Sequence, residues 1–137
     1  MKAFRPYLNF DGNCREAMTF YHDCLGGEFF ISSFADSNIP APPGNENRVM
    51  HANIKLGTAV IMASDTMPGH PFVVGTNVHV NIDCDSREEL DKLANALVKG
   101  GKFSMAPQDA FWGAYFAMLT DKFGVHWMFN FDTTQKA

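Results

Sequence analysis

Five histidines, three cysteines and a scatter of carboxylates are where chemistry would have to start in this chain. His51, His79 and His126 each sit in an alternating segment. Alternation places His51 on one side with Asn53 and Lys55, His79 with Asn81 and Asp83, and His126 with Met128 and Asn130. Three imidazoles brought together could hold a divalent ion and leave positions open for a substrate. No two of them share a local ligand spacing, so three separately hydrogen-bonded imidazoles are the competing reading. His22 and His70 are expected at the surface. Cys14, Cys24 and Cys84 fall on or beside helical segments, where buried cysteine behaves as a small hydrophobe. Cys14 and Cys24 are about 15 Å apart along one helix, too far to bridge. A reduced, cytoplasmic chain is the expectation. Ser64 is the remaining candidate nucleophile, with a strand-end hydroxyl bonded to backbone as the competing reading. Asp11 and Asp83 read as turn formers, and Glu88, Glu89 and Asp91 as a solvated helix face.

These residues must be held by elements, and the pattern lays the elements out twice. Phe4 to Phe10 alternates as a strand. Asn13 can cap a helix running to Leu25, with Ala17, Phe20, Tyr21 and Cys24 as its inner stripe and Gly26-Gly27 as its stop. Strands follow at Glu28 to Phe34, Val49 to Leu56 and Thr58 to Ser64, with a proline-rich loop over Asp36 to Asn47. Thr66 to Gly75 reads as a linker. The order then restarts. Val78 to Cys84 alternates, and Ser86 with Glu89 forms a capping box. Leu90, Leu93, Ala94, Leu97 and Val98 make the second stripe, and Gly100-Gly101 ends it. Strands are expected at Lys102 to Ala106, Ala114 to Thr120 and Val125 to Phe131.

The repeat shows in identities. At an offset of 72, Asn9, Asp11, Arg15 and Glu16 meet Asn81, Asp83, Arg87 and Glu88. At 74, Gly26-Gly27 meets Gly100-Gly101 and Phe29 meets Phe103. At 67, Gly57 meets Gly124 and Asp65 meets Asp132. Neither half, at about 65 residues, can close its own sheet. The expected α+β architecture is two tandem βαβββ modules (about 1–66 and 76–137, linker about 67–75) in one domain over 1–137. One curved eight-stranded sheet would enclose a cleft, with the helices outside.

Composition narrows the function classes. Hydrophobic residues make up 46% and charged residues 19%, which excludes a disordered chain. The net charge of −4 argues against a general nucleic-acid binder. No apolar run approaches the roughly 18 residues of a membrane span. Met-Lys-Ala-Phe-Arg-Pro has no apolar leader core. Thirteen Phe and eight Met indicate a large, adaptable apolar interior.

The paired βαβββ pattern resembles the vicinal oxygen chelate superfamily of glyoxalases, bleomycin-resistance proteins and extradiol dioxygenases. Within it the chain is similar to the PhnB-like group. The residues that carry the resemblance are Pro6 to Asn13, Phe20-Tyr21, Leu25 to Glu28, His51-Ala52-Asn53 and Ile61 to Asp65. The most specific are Phe111-Trp112-Gly113 and then Asp121-Lys122-Phe123-Gly124. The resemblance implies a metal position at Tyr7 (or Pro6, depending on one gap), Met62, His79 and Met128. Only His79 there is a good ligand, so the expectation is no metal and no cofactor. It also implies a cleft lined by Tyr7, Asn9, Met62, Ser64, His79, Asn81, His126 and Met128, with Trp112 at its mouth. A small-molecule binding protein that forms homodimers is the leading expectation, with no nucleic-acid or membrane partner. A metal-dependent isomerase, lyase or dioxygenase using His51, His79 and His126 is one alternative. An accessory subunit of a pathway such as phosphonate metabolism is another. The group's methyltransferase label finds no Gly-rich strand-to-helix loop for S-adenosylmethionine.

Overall fold

The computed structural model describes residues 1–134 and divides into two compact units, 1–73 and from Val74 onward. The first unit runs β1 (Tyr7–Phe10), α1 (Cys14–Leu25), β2 (Glu28–Ser33), β3 (Val49–Leu56) and β4 (Ala59–Asp65). The second runs β5 (Val80–Asp83), α2 (Arg87–Leu97), β6 (Lys102–Ala110), β7 (Ala114–Thr120) and β8 (His126–Asp132). This is the glyoxalase-like repeat of βαβββ modules. The eight strands hydrogen-bond as two four-stranded sheets, β1-β4-β3-β2 and β5-β8-β7-β6. In each, the first strand lies parallel to the last and the other pairs are antiparallel.

Each helix covers one sheet face because its apolar residues recur at helical spacing. Cys14, Ala17, Met18 and Tyr21 are buried on α1, and Leu90, Ala94 and Leu97 on α2. The α1 stripe is therefore rotated from the expected one. Cys14 and Met18 are inside, whereas Phe20 and Cys24 are half-buried. The sheets answer with Phe10, Ala52, Ile54 and Ala63 in the first unit, and Ala117, Leu119, Trp127 and Phe129 in the second.

Three strands differ markedly in length from their alternation, among them β5, which spans Val80–Asp83 instead of Val78 to Cys84 and leaves His79 just before it. β1 begins at Tyr7, not Phe4, because pairing with β4 starts where Met62 N–H reaches the Pro6 carbonyl. β6 runs on to Ala110 through two register shifts, the second of which spans Pro107. An edge strand tolerates proline, which has no N–H to donate to a ladder. The helix-ending glycines are set by contact. A Cβ on Gly27 would strike the Lys55 carbonyl, and one on Gly101 the Thr120 carbonyl. Each helix can turn into its next strand only where no side chain stands between the two backbones.

The offset-72 repeat survives in space. Asn9 and Asn81 both point away from the helix of their own unit, alternating with Phe10 and Ile82. The offset-67 match of Asp65 with Asp132 does not. Asp65 is buried on the helix side, while alternation places Asp132 with His126, Met128 and Asn130 on the other. Register explains the failure. Asn9 lies opposite Ser64 and Asn81 opposite Met128, so β8 matches β4 at 128 − 64 = 64.

The helix caps also differ. Ser86 accepts from Glu89 N–H as expected, and the Glu89 carboxylate accepts from Asp85 N–H at 2.8 Å. Asn13 makes no side-chain cap. Asp65 takes over that end. Its Oδ1 accepts from Gly12 and Cys14 N–H at 2.8 and 3.0 Å, and its Oδ2 from Val49 N–H at 2.8 Å. Replacing Asp65 by Asn turns one acceptor into a donor facing a donor. The expected loss is about 2–4 kcal/mol, read as a lower urea midpoint with unchanged slope. An Asp65→Asn variant as stable as the parent would show that this carboxylate does not hold the unit together.

Candidate functional site

The helices cover one face of each sheet, so the opposite face carries the candidate chemistry. In the first unit the register lines up Tyr7, Met62, Asn53 and Phe30 across four strands. Asn9 and Ser64 stand beside that row, as do Ser32 and His51. Tyr7 is 45% exposed and Phe30 53%. The His51 imidazole joins them. Its Nδ1 is 3.3 Å from the Tyr7 hydroxyl and its Nε2 is 3.3 Å from Asn53 Nδ2. Its ring centroid lies 5.9 Å from that of Tyr7 and 6.3 Å from that of Phe30.

In the second unit the matching row is Asn81, Met128, Met118 and Met105. Beside it, Thr120 lies opposite His126. His126 has both nitrogens engaged. The Gly75 carbonyl, 2.9 Å from Nε2, can only accept, so Nε2 carries the proton. In the neutral ring Nδ1 is then bare and accepts from the Thr120 hydroxyl at 2.8 Å. The His79 ring sits 5.4 Å from that of His126. Trp112 is on the turn between β6 and β7 and meets Phe116 edge-on at 5.3 Å.

Each expected site residue is thus on an open face or next to one. Tyr7, Asn9, Met62 and Ser64 belong to the first unit. His79, Asn81, Trp112, His126 and Met128 belong to the second. Phe30 and Asn53 were missed, although the alternation Glu28-Phe30-Ser32 and His51-Asn53-Lys55 signals them. A further feature was not legible. A groove of about 620 Å³ runs between the α1 N-terminus and the loop before β3, lined by Arg15, Glu16, Thr19, Asn45, Asn47 and Arg48 among others. Arg48 is held there by Asp11 at 2.9 Å and the Thr66 carbonyl at 2.8 Å.

The metal position implied by the resemblance does not fit these residues. Its donors are a phenol, two thioethers and one imidazole, and a neutral thioether is a poor ligand for a hard ion. The three-histidine alternative has lost His126 to Thr120 and Gly75. Within each unit, no three His, Cys, Asp or Glu side chains among the described residues gather around one point.

Comparison with known proteins agrees with this architecture. A family model described as 3-demethylubiquinone-9 3-methyltransferase matches residues 2–129. Protein YjdN of Escherichia coli is 35% identical, over 91% of this chain and 92% of its own length. The crystal structure of PA1353 from Pseudomonas aeruginosa is 38% identical, with a TM-score of 0.85 over 96% of this chain and 98% of that one. The PhnB protein from Bacillus cereus is 29% identical, with a TM-score of 0.77 over 95% and 99%. A glyoxalase/bleomycin resistance protein/dioxygenase family enzyme from Burkholderia phytofirmans shares the fold, at 22% identity and a TM-score of 0.63 over 95% and 99%.

Cys14 and Cys84 supply no nucleophile. Burial pushes the Cys14 thiol up to about 12, with the Asp65 carboxylate adding to the shift. Burial pushes Cys84 up to about 12 as well, with Glu89, Asp83 and Asp85 adding to it. Both are protonated near neutrality, and only the thiolate is reactive. At pH 8 a disulfide reagent should therefore modify the half-buried Cys24 first, with Cys14 and Cys84 reacting only on unfolding. Both folded values lie above the unfolded 9.0. Their stabilisation is complete below pH 9 and lost as pH rises toward 12. Three equally fast thiols in the native protein would contradict this assignment.

Proposed function

The chain belongs to the PhnB-like, 3-demethylubiquinone-9 3-methyltransferase family, and we propose that it binds a small organic molecule on the open faces of its sheets. The observation that carries this reading is the mainly apolar row that crosses the middle of each face. A solvated sheet face ordinarily carries polar side chains. Here the central rows are Tyr7, Met62, Asn53 and Phe30, and Asn81, Met128, Met118 and Met105. Aromatic and thioether walls with one amide per row are the mixture a small-molecule site uses. Asn9, Ser64, His79, His126 and Trp112 supply the remaining polar and aromatic contacts.

Methyl transfer from S-adenosylmethionine finds no support in these residues. The strand-to-helix connections are Asp11-Gly12-Asn13 and Cys84-Asp85-Ser86, without a Gly-rich loop. The N–H groups of Gly12 and Cys14 at the α1 end are already bonded to Asp65. Binding without a resident metal is the reading that the donor set favours.

We place the protein in the cytoplasm as a homodimer. Three unbridged cysteines support the first, and no described helix is long and apolar enough to cross a membrane. Exposed Phe4, Phe111 and Val73 support the second, since large apolar side chains at 90%, 98% and 89% exposure favour a partner surface. Native mass spectrometry of gently purified protein tests the dimer and the binding reading. The expected species is twice the chain mass, with a non-covalent organic adduct and no stoichiometric metal. Added ligand should then raise the melting temperature. A chain that carries no adduct, and whose melting no small organic acid or aromatic compound raises, would refute the binding reading. A monomer at micromolar concentration would refute the dimer.

A further inference from the structure

Three side chains on the open face of the first sheet form a chain of donors that all point one way. The Asn53 amide nitrogen can only donate, so His51 Nε2, 3.3 Å from it, is the bare nitrogen. A neutral imidazole then has its proton on Nδ1, which donates to the Tyr7 oxygen at 3.3 Å. The Tyr7 O–H is directed onward, from a side chain 45% exposed. Each donation polarises the next bond, so the last hydroxyl is a better donor than an isolated phenol. Both inner contacts are long, as such bonds often are before a ligand arrives and draws them tighter.

The surroundings specify what this donor would meet. The Tyr7 and Phe30 rings are tilted 43° and 42° to the His51 ring, an open arrangement of flat apolar surfaces beside the hydroxyl. Among the strand residues on this face the charged ones are Lys55 and Glu28, opposite each other in register, and Arg5 precedes β1 two residues before Tyr7. β1 and β4 present no further charge to this face, only Asn9, Val60, Met62 and Ser64 beside Tyr7. A phosphate or carboxylate calls for a forked or multiply charged partner. One polarised hydroxyl beside aromatic and thioether surface suits a single oxygen whose charge is spread over a ring.

We propose that Tyr7, His51 and Asn53 form a recognition site for a planar conjugated oxyanion, a phenolate or enolate, with the Tyr7 hydroxyl donating to its oxygen. This rests on the reading of the open faces as ligand surfaces and names the chemical class for the first of them. 4-Nitrophenol is a suitable probe, because its yellow phenolate reports ionisation directly. Bound to the wild-type protein, it should ionise at lower pH than in free solution, by about one unit or tenfold, the scale of one charge-assisted hydrogen bond. Tyr7→Phe should abolish the shift while the melting curve stays unchanged. With the imidazole neutral, Asn53→Asp accepts from Nε2–H, moves the proton to Nε2 and turns the Tyr7 O–H inward onto Nδ1. The probe's ionisation should then move to higher pH, through this reversal and through the added charge. The double variant Asn53→Asp/Tyr7→Phe keeps the charge and removes the reversal, so it should show a smaller upward shift. A probe that fails to bind at millimolar concentration, or an equal shift in wild type and Tyr7→Phe, overturns the proposal. Binding with unshifted ionisation overturns the oxyanion assignment and leaves the small-molecule reading standing.

Discussion

A buried carboxylate that collects N–H donors ties each unit together. Taking a carboxylate out of water costs several kcal/mol unless donors replace the water. Asp65, 5% exposed, receives three backbone N–H groups, from the β1–α1 turn, the first turn of α1 and the start of β3. One side chain at the end of β4 thereby fixes the relation of helix to sheet. Asp121, 3% exposed, accepts from Phe123 N–H, Val125 N–H and the indole N–H of Trp127. It closes the turn between β7 and β8 and orients the largest buried side chain of its unit. Every buried side-chain polar atom among the described residues has a partner.

This arrangement divides the labour between the two faces of each sheet. The helix side is filled by packing and by the buried carboxylates, and the N–H groups around the start of α1 are partly spent on Asp65. The glycines that end the helices press backbone against backbone, with Gly27 on Lys55 and Gly101 on Thr120. Between helix and sheet the layer is filled by protein side chains and backbone. The functional reading therefore falls on the faces that the helices leave uncovered, where a mainly soft row of side chains crosses each sheet.

The elements were largely legible because their periods are local. Val49–Leu56 and Ala114–Thr120 end where their alternation ends, and Ser86 caps α2 through a residue three positions away. What was hidden depends on distant pairing. Asn13 is the locally sensible cap for α1, and Asp65 displaces it by bonding Cys14 N–H, 51 residues back along the chain from Asp65. The identity of Asp65 with Asp132 misled because a three-residue difference in offset, 67 against 64, puts the two aspartates on opposite faces. The contact of Tyr7 with His51 spans 44 residues and needs the order β1-β4-β3, which alternation alone does not provide.

With the register known, the two units show how a duplicated frame diverged. At the offset of 64, Met62 corresponds to 62 + 64 = 126, a histidine. Met62 faces Asn53 and His126 faces Thr120, so the middle strands match at 120 − 53 = 67, and His51 corresponds to 51 + 67 = 118, a methionine. Histidine and methionine have exchanged strands. Both imidazoles still reach the same pair of positions. His51 contacts Asn53 and Tyr7, and His126 contacts their counterparts Thr120 and His79. The hydrogen bonds run to different ends. In the second unit, Thr120 donates to His126 and His126 to the Gly75 carbonyl, so the chain closes on backbone. In the first, Asn53 donates to His51 and His51 to Tyr7, so the chain ends on a hydroxyl at the surface. The same frame thus holds one imidazole as a structural latch and leaves the other coupled to a group that a ligand can touch.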